Sequence, residues 1–281
     1  MKTLNWPRIL SLYDSGLTAN KISILLGCDR RTIDRKILSL GIKRPHRINN
    51  KCFELNEEYF KIINTGESAY WFGFLLADAS IPRRPGGKSM QVLLGIKDKP
   101  HLESLLVAIS ANNPIKIGFR NNKQNAALNI HSTRFCDFML AMGWREFKER
   151  GIWPSIRPDL ERHFVRGLID GDGWVSIVKK KYPEIGLCSD HKTVLLESQR
   201  VLGIHANILL SRSKKSKKNI YKWRKVGRDC VRMHSVLYNN ATCFLPRKKE
   251  YLESIIASWP TAQHGLLEEN TKNVAYNNGK N

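Results

Sequence analysis

The first 45 residues place apolar and polar positions with the period of an α-helix. One such stretch covers residues 6–13, and a second covers residues 18–26 after a break at Gly16. The letters GCD then predict a tight turn in which Asp29 caps a third helix. The residues predicted to face the core are Ile22, Leu25, Leu26, Ile33, Ile37 and Leu40. The pattern predicts a small all-α module over residues 1–45.

A longer pattern of apolar and polar positions occurs twice in the rest of the chain. AYWFGFLLADASI leads through PRRPGGK to QVLLGIKDKPHLESLL, and HFVRGLIDGDGWVSI leads through KKKYPE to IGLCSDHKTVLLESQRVLG. Each copy predicts an apolar helix with an acidic end, a strand, a basic turn, a strand and an amphipathic helix. We therefore predict a duplicated α+β fold with internal pseudo-twofold symmetry. The predicted boundaries are 46–54 for a basic linker, 55–150 and 151–260 for the two halves, and 261–281 for a flexible polar tail.

Small residues recur every four positions along both apolar helices. They are Ala69, Gly73 and Ala77 in the first helix, and Gly167 and Gly171 in the second. Small residues at this spacing let two helix backbones approach closely, so we predict that the two helices pack side by side. Their C-terminal ends would then bring Asp78 and Asp172 together, whereas Asp170 is predicted to have a structural role.

Two carboxylates at adjoining helix C-termini are electrostatically unfavourable. They repel each other, and each also meets the partial negative charge of a helix end. A divalent cation would relieve this repulsion, and Mg²⁺ prefers oxygen ligands together with substrate phosphate. The alternative is that Asp78 and Asp172 simply end their helices beside solvent. Their matching positions in the two copies favour the metal site.

The charge of the chain narrows the choice of partner. Lys and Arg number 47 against 25 Asp and Glu, which gives a net charge of +22 and indicates a polyanionic partner such as nucleic acid. No run of 18 apolar residues predicts a membrane span, and the first residues lack the apolar core of a secretion signal. The six cysteines form no C-x-x-C pair, which is typical of reduced thiols. We expect an intracellular monomer, located in the cytoplasm or associated with the nucleoid or an organelle.

The third helix of the amino-terminal module is predicted to carry a basic outer face. Its basic residues are Arg30, Arg31, Arg35 and Lys36. The stretch LTANKISILLGCDRRTIDRKILSLGI resembles the helix-turn-helix of recombinases and regulators, whose last helix enters the DNA major groove. The alternative is a three-helix module whose basic face meets only solvent. The location of the charge on the predicted recognition helix favours DNA binding.

The two apolar helices carry a second resemblance. WFGFLLADA (71–79) and VRGLIDGDG (165–173) resemble the paired motifs of the LAGLIDADG homing endonucleases in their single-chain form. The first motif departs from the pattern at Leu76, where an acid is common, and at Ala79, where glycine is usual. The resemblance covers roughly residues 55–255 and excludes the amino-terminal module. It implies two motif helices packed at the centre and two curved antiparallel sheets lying on the DNA major groove.

The resemblance also implies a site-specific endonuclease that hydrolyses both strands of double-stranded DNA. The expected cofactor is Mg²⁺, with Mn²⁺ as a substitute. The residues implied at the metal site are Asp78, Asp172, Ala79 and Gly173. The family keeps a basic catalytic residue late in each half, and the best matches are Lys148 and Lys248. The alternative for each lysine is an ordinary surface side chain.

Further basic residues are predicted to contact DNA from the turns and strands. They are Arg83, Arg84, Lys88, Lys179, Lys180, Lys181, Arg212, Lys214, Lys215, Lys222 and Arg224. The stretch SRSKKSKKNIYKWRKVGR (211–228) has nine basic residues and no acid, and we interpret it as a hairpin lying on phosphates. In WVSIVKK, Val175 and Ile177 are predicted to face the core, and Trp174 and Ser176 to face DNA.

Two other functions fit parts of the sequence. Pro183-Glu184 followed by Asp190-His191-Lys192 imitates a P-D…(D/E)-x-K nuclease pattern, but the spacing is short. The stronger rival is a non-catalytic binder on the same scaffold, either a transcription regulator or a maturase whose partner is intron RNA. The presence of both Asp78 and Asp172 favours the enzyme, because a pure binding protein has no use for two repelling carboxylates.

Overall fold

The computed structural model describes residues 4–14, 17, 19–42, 53–83, 87–212 and 219–259, without the side chain of Arg212. The chain divides into two units, Met1–Cys52 and Phe53–Asn281. Most of the predicted linker and all of the predicted tail lie outside the described residues. In the part of the chain that the structure describes, no helix is long and apolar enough to cross a membrane.

The first unit is helical. Its helices are α1 (Trp6–Asp14), α2 (Ala19–Leu26) and α3 (Arg30–Ser39). Ile22, Ile33 and Ile37 are buried in one apolar cluster, as the sequence predicts. The predicted cap is also confirmed, because the backbone N–H of Thr32 donates to Asp29 Oδ2 at 3.1 Å.

Two residues of this unit that were predicted to face the core are exposed instead. Leu25 is 60% exposed, because the buried line of α2 runs through Ala19, Ile22 and Ser23 and leaves Leu25 on the flank of the helix. Leu40 is 46% exposed, because α3 ends at Ser39 and the helical period does not extend to the next residue. The prediction that these two leucines face inward is wrong.

The second unit contains the same order of elements twice. The first series is α4 (Gly66–Asp78), β1 (Ala79–Ser80), β2 (Met90–Gly95), a 3-10 turn (Ile96–Asp98), α5 (Lys99–Ala108), β3 (Lys116–Arg120), β4 (Lys123–Ile130), α6 (Thr133–Ala141) and α7 (Trp144–Arg150). The second series is α8 (Glu161–Asp172), β5 (Gly173–Val178), β6 (Tyr182–Ser189), α9 (Lys192–Leu202), β7 (Leu209–Arg212), β8 (Asn219–Val226), α10 (Arg228–Tyr238) and α11 (Pro246–Ser258).

Each series forms its own four-stranded antiparallel sheet. The strand orders are β1-β2-β4-β3 and β5-β6-β8-β7, which are the same order in the two halves. The helices α4 and α8 pack against each other between the halves. The predicted α+β fold with duplicated halves and two central helices is therefore confirmed.

Each sheet buries one face and leaves the other open. Alternate residues of the central strands point into the core, including Val92, Leu128, Leu187 and Trp223. The residues between them form what we call the open faces. Ile177 departs from the prediction: it is 39% exposed near the end of β5, whereas Val175 is half-buried against the core. The strand ends one residue later at Val178, and the chain turns at Lys179 and Lys180, which both have positive φ.

Candidate active site

The central helices approach at glycine. A Cβ atom on Gly73 would lie 2.2 Å from the carbonyl oxygen of Phe164, and one on Gly167 would lie 2.2 Å from that of Tyr70. A Cβ atom on Gly171 would lie 2.3 Å from Ala77 Cβ. Only glycine leaves room for this contact, so these residues bring the two helix ends together. Ala69, earlier in α4, is fully buried.

Asp78 and Asp172 are the last residues of α4 and α8. Burial and the charge of Asp172 raise the pKa of Asp78 to about 6, although Lys248 and Lys148 oppose the increase. The side chain of Asp172 is accessible to solvent yet lies beside protein on several sides, and this partial desolvation raises its pKa also. The two carboxylates therefore lack sufficient positive charge around them, as expected for a site that receives a cation.

A lysine lies at the end of each central helix. Lys148 Nζ donates to the carbonyl oxygens of Leu76 at 2.7 Å and Ala77 at 3.4 Å. Such lysines satisfy carbonyls that have no partner within the helix and compensate the negative end of its dipole. Burial lowers the pKa of Lys148, while the charges of Asp172 and Asp78 oppose that decrease.

The second lysine is held more firmly. Lys248 Nζ donates to the carbonyl oxygens of Ile169 at 2.8 Å, Asp170 at 2.6 Å and Gly173 at 2.7 Å. An ammonium group has three N–H donors, so these bonds use all of them. Lys248 is buried, and burial lowers its pKa. The two lysines that the sequence treats as equivalent thus differ in what they can offer a substrate.

The carboxylate of Asp170 organises the region behind the site. It is buried and accepts hydrogen bonds from Tyr70 Oη at 2.8 Å and from the backbone N–H of Leu245 at 2.7 Å. Burial raises its pKa to about 6, against the opposing effect of these bonds. Because Leu245 precedes α11 directly, Asp170 fixes the start of the helix that carries Lys248. The predicted structural role of Asp170 agrees with these contacts.

Several residues near the site were not predicted to belong to it, although Asp190 and His191 occur in the P-D…(D/E)-x-K pattern. Asp190 and His191 line an open cleft together with Asp172 and Lys148. On the other side, Asp98 accepts two hydrogen bonds from Arg247, at 2.6 and 2.8 Å. Asp190 and Asp98 follow the equivalent strands β6 and β2, so an alignment of the two halves could have identified them. Each raises the pKa of the motif aspartate closest to it.

Arg166 was also missed. It is a buried guanidinium that donates to the carbonyl oxygens of Cys243 at 2.8 Å and Leu237 at 2.7 Å and lies over the ring of Tyr70. Its position inside the apolar run FVRGLI was the available sequence signal, because a charge in a buried helix requires partners.

A family model described as a LAGLIDADG-like domain matches residues 159–236, from the start of α8 into α10. Residues 159–236 are thus similar to a LAGLIDADG-like domain. No curated protein matches the chain.

Similar solved structures include three homing endonucleases. Mesophilic variants of I-DmoI are 15% identical over 70% of this chain and 100% of that chain, with a TM-score of 0.47. I-GzeII in complex with its DNA target is 14% identical over 74% of this chain and 95% of that chain, with a TM-score of 0.45. I-LtrWI bound to target DNA is 12% identical over 76% of this chain and 97% of that chain, with a TM-score of 0.41.

The ends of α4 and α8 present two carboxylates that fit a hard cation only in part. Among the described residues, no group of three or more His, Cys, Asp or Glu side chains could hold a metal ion by itself. A cation bound there would have Asp78 and Asp172 as its protein ligands, and water and phosphate oxygens would have to supply the rest. Mg²⁺ commonly binds in this way. Ala79 and Gly173, which begin β1 and β5, lie directly after the aspartates.

The predicted DNA contacts fall into three groups. Some are paired with carboxylates of the chain: Arg30 with Asp34, Arg83 with Glu149, Lys88 with Asp137 and Arg224 with Glu184. Others occupy exposed or half-buried positions in α3, in the β5–β6 turn and in β8: Arg31, Arg35, Lys36, Lys179, Lys180, Lys181 and Lys222. Arg84, Lys214 and Lys215 lie outside the described residues, as does the side chain of Arg212.

Proposed function

We propose that the chain is a site-specific endonuclease that cuts both strands of DNA, using divalent metal held by Asp78 and Asp172. The observation that carries the proposal is the meeting of two carboxylates at adjoining helix ends, where the pKa of Asp78 is raised to about 6. The net charge of +22 and the LAGLIDADG-like domain support DNA as the substrate.

The two aspartates and the two lysines have different proposed roles. A bound Mg²⁺, or Mn²⁺ in its place, supplies activation of water and compensation of charge on the phosphate. Asp78 and Asp172 are the residues that would hold it. Lys148 makes one short and one long bond to carbonyls, so it can turn an N–H toward a phosphate oxygen or the attacking water. Lys248 has all its donors engaged and acts through its charge on Asp78.

The amino-terminal unit is proposed to extend the DNA contact. Its helix α3 carries Arg30, Arg31, Arg35 and Lys36, and the turn before it contains Gly27 with positive φ. A short turn followed by a basic helix suits insertion into a major groove. We propose that this unit anchors the enzyme beside the site of cleavage.

The test is cleavage of a random DNA library by the purified protein in Mg²⁺, with sequencing of the ends produced. We expect one enriched target and a short 3′ overhang, and we expect Asp172→Asn to abolish cutting while binding persists. Asp159→Asn is the matched control, because Asp159 is paired with Arg157 away from the site. Cutting that survives Asp172→Asn would refute the proposal. Specific binding of DNA or of structured RNA by a wild-type protein that cuts nothing would establish the regulator or the maturase instead.

A further inference from the structure

The registers of the two sheets allow them to be aligned residue by residue. Gly173 pairs with Leu187 and Ala79 pairs with Val92, and each begins the strand that follows a motif aspartate. One step along, Trp174 pairs with Gly186, which pairs with Arg224. We call these three residues the arginine row. The equivalent residues of the first sheet are Ser80, Gln91 and Asn129, which we call the amide row.

Both rows lie on the open faces. Trp223 and Leu187, which adjoin Arg224 and Gly186 in sequence and pair with each other, are buried in the core. Because side chains alternate along a strand, the arginine row lies on the opposite side of the sheet. Val92 and Leu128 are buried next to the amide row in the same way. The two rows are thus symmetry-related positions on the surfaces that would meet the two half-sites of a DNA target.

The side chain of Arg224 is positioned by a hydrogen-bond network. Its Nη1 donates to Glu184 Oε2 at 3.1 Å, and its side chain is 60% exposed, so its other N–H groups remain available. The second oxygen of Glu184 accepts from Trp174 Nε1 at 2.8 Å and from Ser176 Oγ at 2.9 Å. The Trp174 ring covers Gly186, where an added Cβ would lie 2.1 Å from the indole. These contacts therefore hold the guanidinium of Arg224 in one orientation.

Glu184 itself requires an explanation. Burial would raise its pKa, but the hydrogen bonds from Trp174 and Ser176 and the charge of Arg224 outweigh burial and lower the pKa. An ionised carboxylate under a surface that meets phosphates weakens DNA binding by repulsion. Its presence is explained if it orients Arg224 toward a base edge, where direction matters more than net charge.

The two rows differ in the bases that they fit. A guanidinium pairs with the O6 and N7 acceptors of guanine, and a side-chain amide pairs with N6 and N7 of adenine. The amide row contains Gln91 and Asn129 in direct register and no charge. The arginine row offers one oriented guanidinium instead.

We propose that Arg224, oriented by Glu184, reads a guanine in one half-site, and that Gln91 and Asn129 read an adenine at the symmetry-related position of the other. This rests on the proposed function only in placing DNA on the open faces, and it does not require cleavage. The target is then asymmetric at this pair of positions. Glu184 is a positioning residue, since it acts through Arg224.

The test is selection of bound sequences from a random DNA library by the full chain in EDTA, so that cutting plays no part. The wild type should select a guanine and an adenine at mirrored positions. Arg224→Ala should reduce the preference for guanine by roughly tenfold or more, with the other positions unchanged. Glu184→Gln should reduce the same preference while leaving affinity for unrelated DNA equal or higher, because a negative charge is removed.

The matched control is Arg200→Ala. Arg200 is also paired with carboxylates, Glu161 and Glu197, but it lies on α9. The Arg200→Ala variant removes the same charge and should leave the sequence preference unchanged. Loss of affinity for all sequences alike in Arg224→Ala would identify a phosphate contact and overturn the proposal. So would a wild type that selects no guanine, or a guanine preference that survives Arg224→Ala in a protein with unchanged thermal unfolding.

A second variant tests the other row. Asn129→Ala should weaken selection of the mirrored adenine without altering selection of the guanine, and the reverse pattern would overturn the proposal. Cleavage of the selected sequence is then measured separately in Mg²⁺. A selected sequence that is bound but not cut contradicts the proposed endonuclease and leaves the base assignment intact.

Discussion

At the scale of single residues, the candidate chemistry depends on two aspartates and two lysines at the ends of α4 and α8. Asp78 and Asp172 occupy equivalent positions, but their lysines do not offer the same donors. Lys248 is fully hydrogen-bonded to backbone, whereas Lys148 lines an open cleft with Asp172. Equivalent positions in a duplicated chain therefore do not imply equivalent roles.

The raised pKa of Asp78 predicts how stability depends on pH without metal. The pKa of Asp78 in the folded protein is about 6, above that of an unfolded aspartate. The stabilisation that comes from protonated Asp78 is therefore fully present below about pH 4 and is lost as the pH rises through 6. Asp78→Asn should remove this loss and increase the free energy of unfolding at pH 7 by about 3 kcal/mol. Denaturant unfolding in EDTA at pH 4 and pH 7 measures the difference.

The same ionisation predicts the effect of metal. Mg²⁺ should raise the unfolding temperature of the wild type more at pH 7 than at pH 5, because the aspartates must be ionised to bind it. Asp78→Asn should lose this response. An equal response at both pH values, or in the variant, would contradict a metal site at these carboxylates.

The lysines should separate stability from catalysis. Lys248→Met removes three hydrogen bonds to backbone carbonyls, of which that of Ile169 keeps another donor, the N–H of Gly173, and should lower the free energy of unfolding by about 3 kcal/mol. Lys148→Met should cost roughly 1 kcal/mol but slow single-turnover cleavage at least about a hundredfold. Denaturant unfolding and cleavage at saturating protein test the pair. A larger loss of stability in Lys148→Met would reverse the assignment.

At the scale of elements, the contact between α4 and α8 determines where the aspartates meet. The glycines reduce helix propensity, yet they allow backbone to approach backbone. The sequence indicates this contact through the four-residue spacing of its small residues. It does not indicate that α7 and α11 return to the ends of these helices, because each return spans about 70 residues or more between its hydrogen-bonded partners.

Glycine substitutions test that contact. Gly73→Ala and Gly167→Ala each place a Cβ 2.2 Å from a backbone oxygen of the other helix. Neither backbone can move without separating the helices, so each should cost about 3 kcal/mol or more in denaturant unfolding. Gly95→Ala is the control, because an added Cβ there meets nothing within 4 Å and its φ is −62°. Similar losses in all three variants would refute the argument from close packing.

At the scale of the whole molecule, the amino-terminal unit and the duplicated unit have separate cores. A chain of residues 53–281 should therefore fold and still cut its target. Without the four basic residues of α3, the slope of log affinity against log salt should become shallower by about 3 to 4.

Affinity measured over a range of salt concentrations tests this, together with cleavage at saturating protein. Loss of cutting by the folded fragment at saturation would mean that the unit does more than anchor. An unchanged salt slope would mean that α3 does not contact phosphates.

The sequence by itself determined the features that are local or repeated. Helical and strand periods predicted most elements, matching acidic helix ends singled out Asp78 and Asp172, and the spacing of small residues predicted the central contact. These features depend on residues a few positions apart or on the comparison of one copy with the other.

Only the tertiary structure decided which distant residues meet. It showed that Lys248 is saturated with backbone bonds, that Asp170 holds the start of α11, and that Arg224 rests on Glu184. The hydrogen bonds made by a side chain depend on strand register and on the return of elements about 40 to 80 residues away in the chain. No local pattern encodes those contacts, because they follow from the closure of the whole fold around the two central helices.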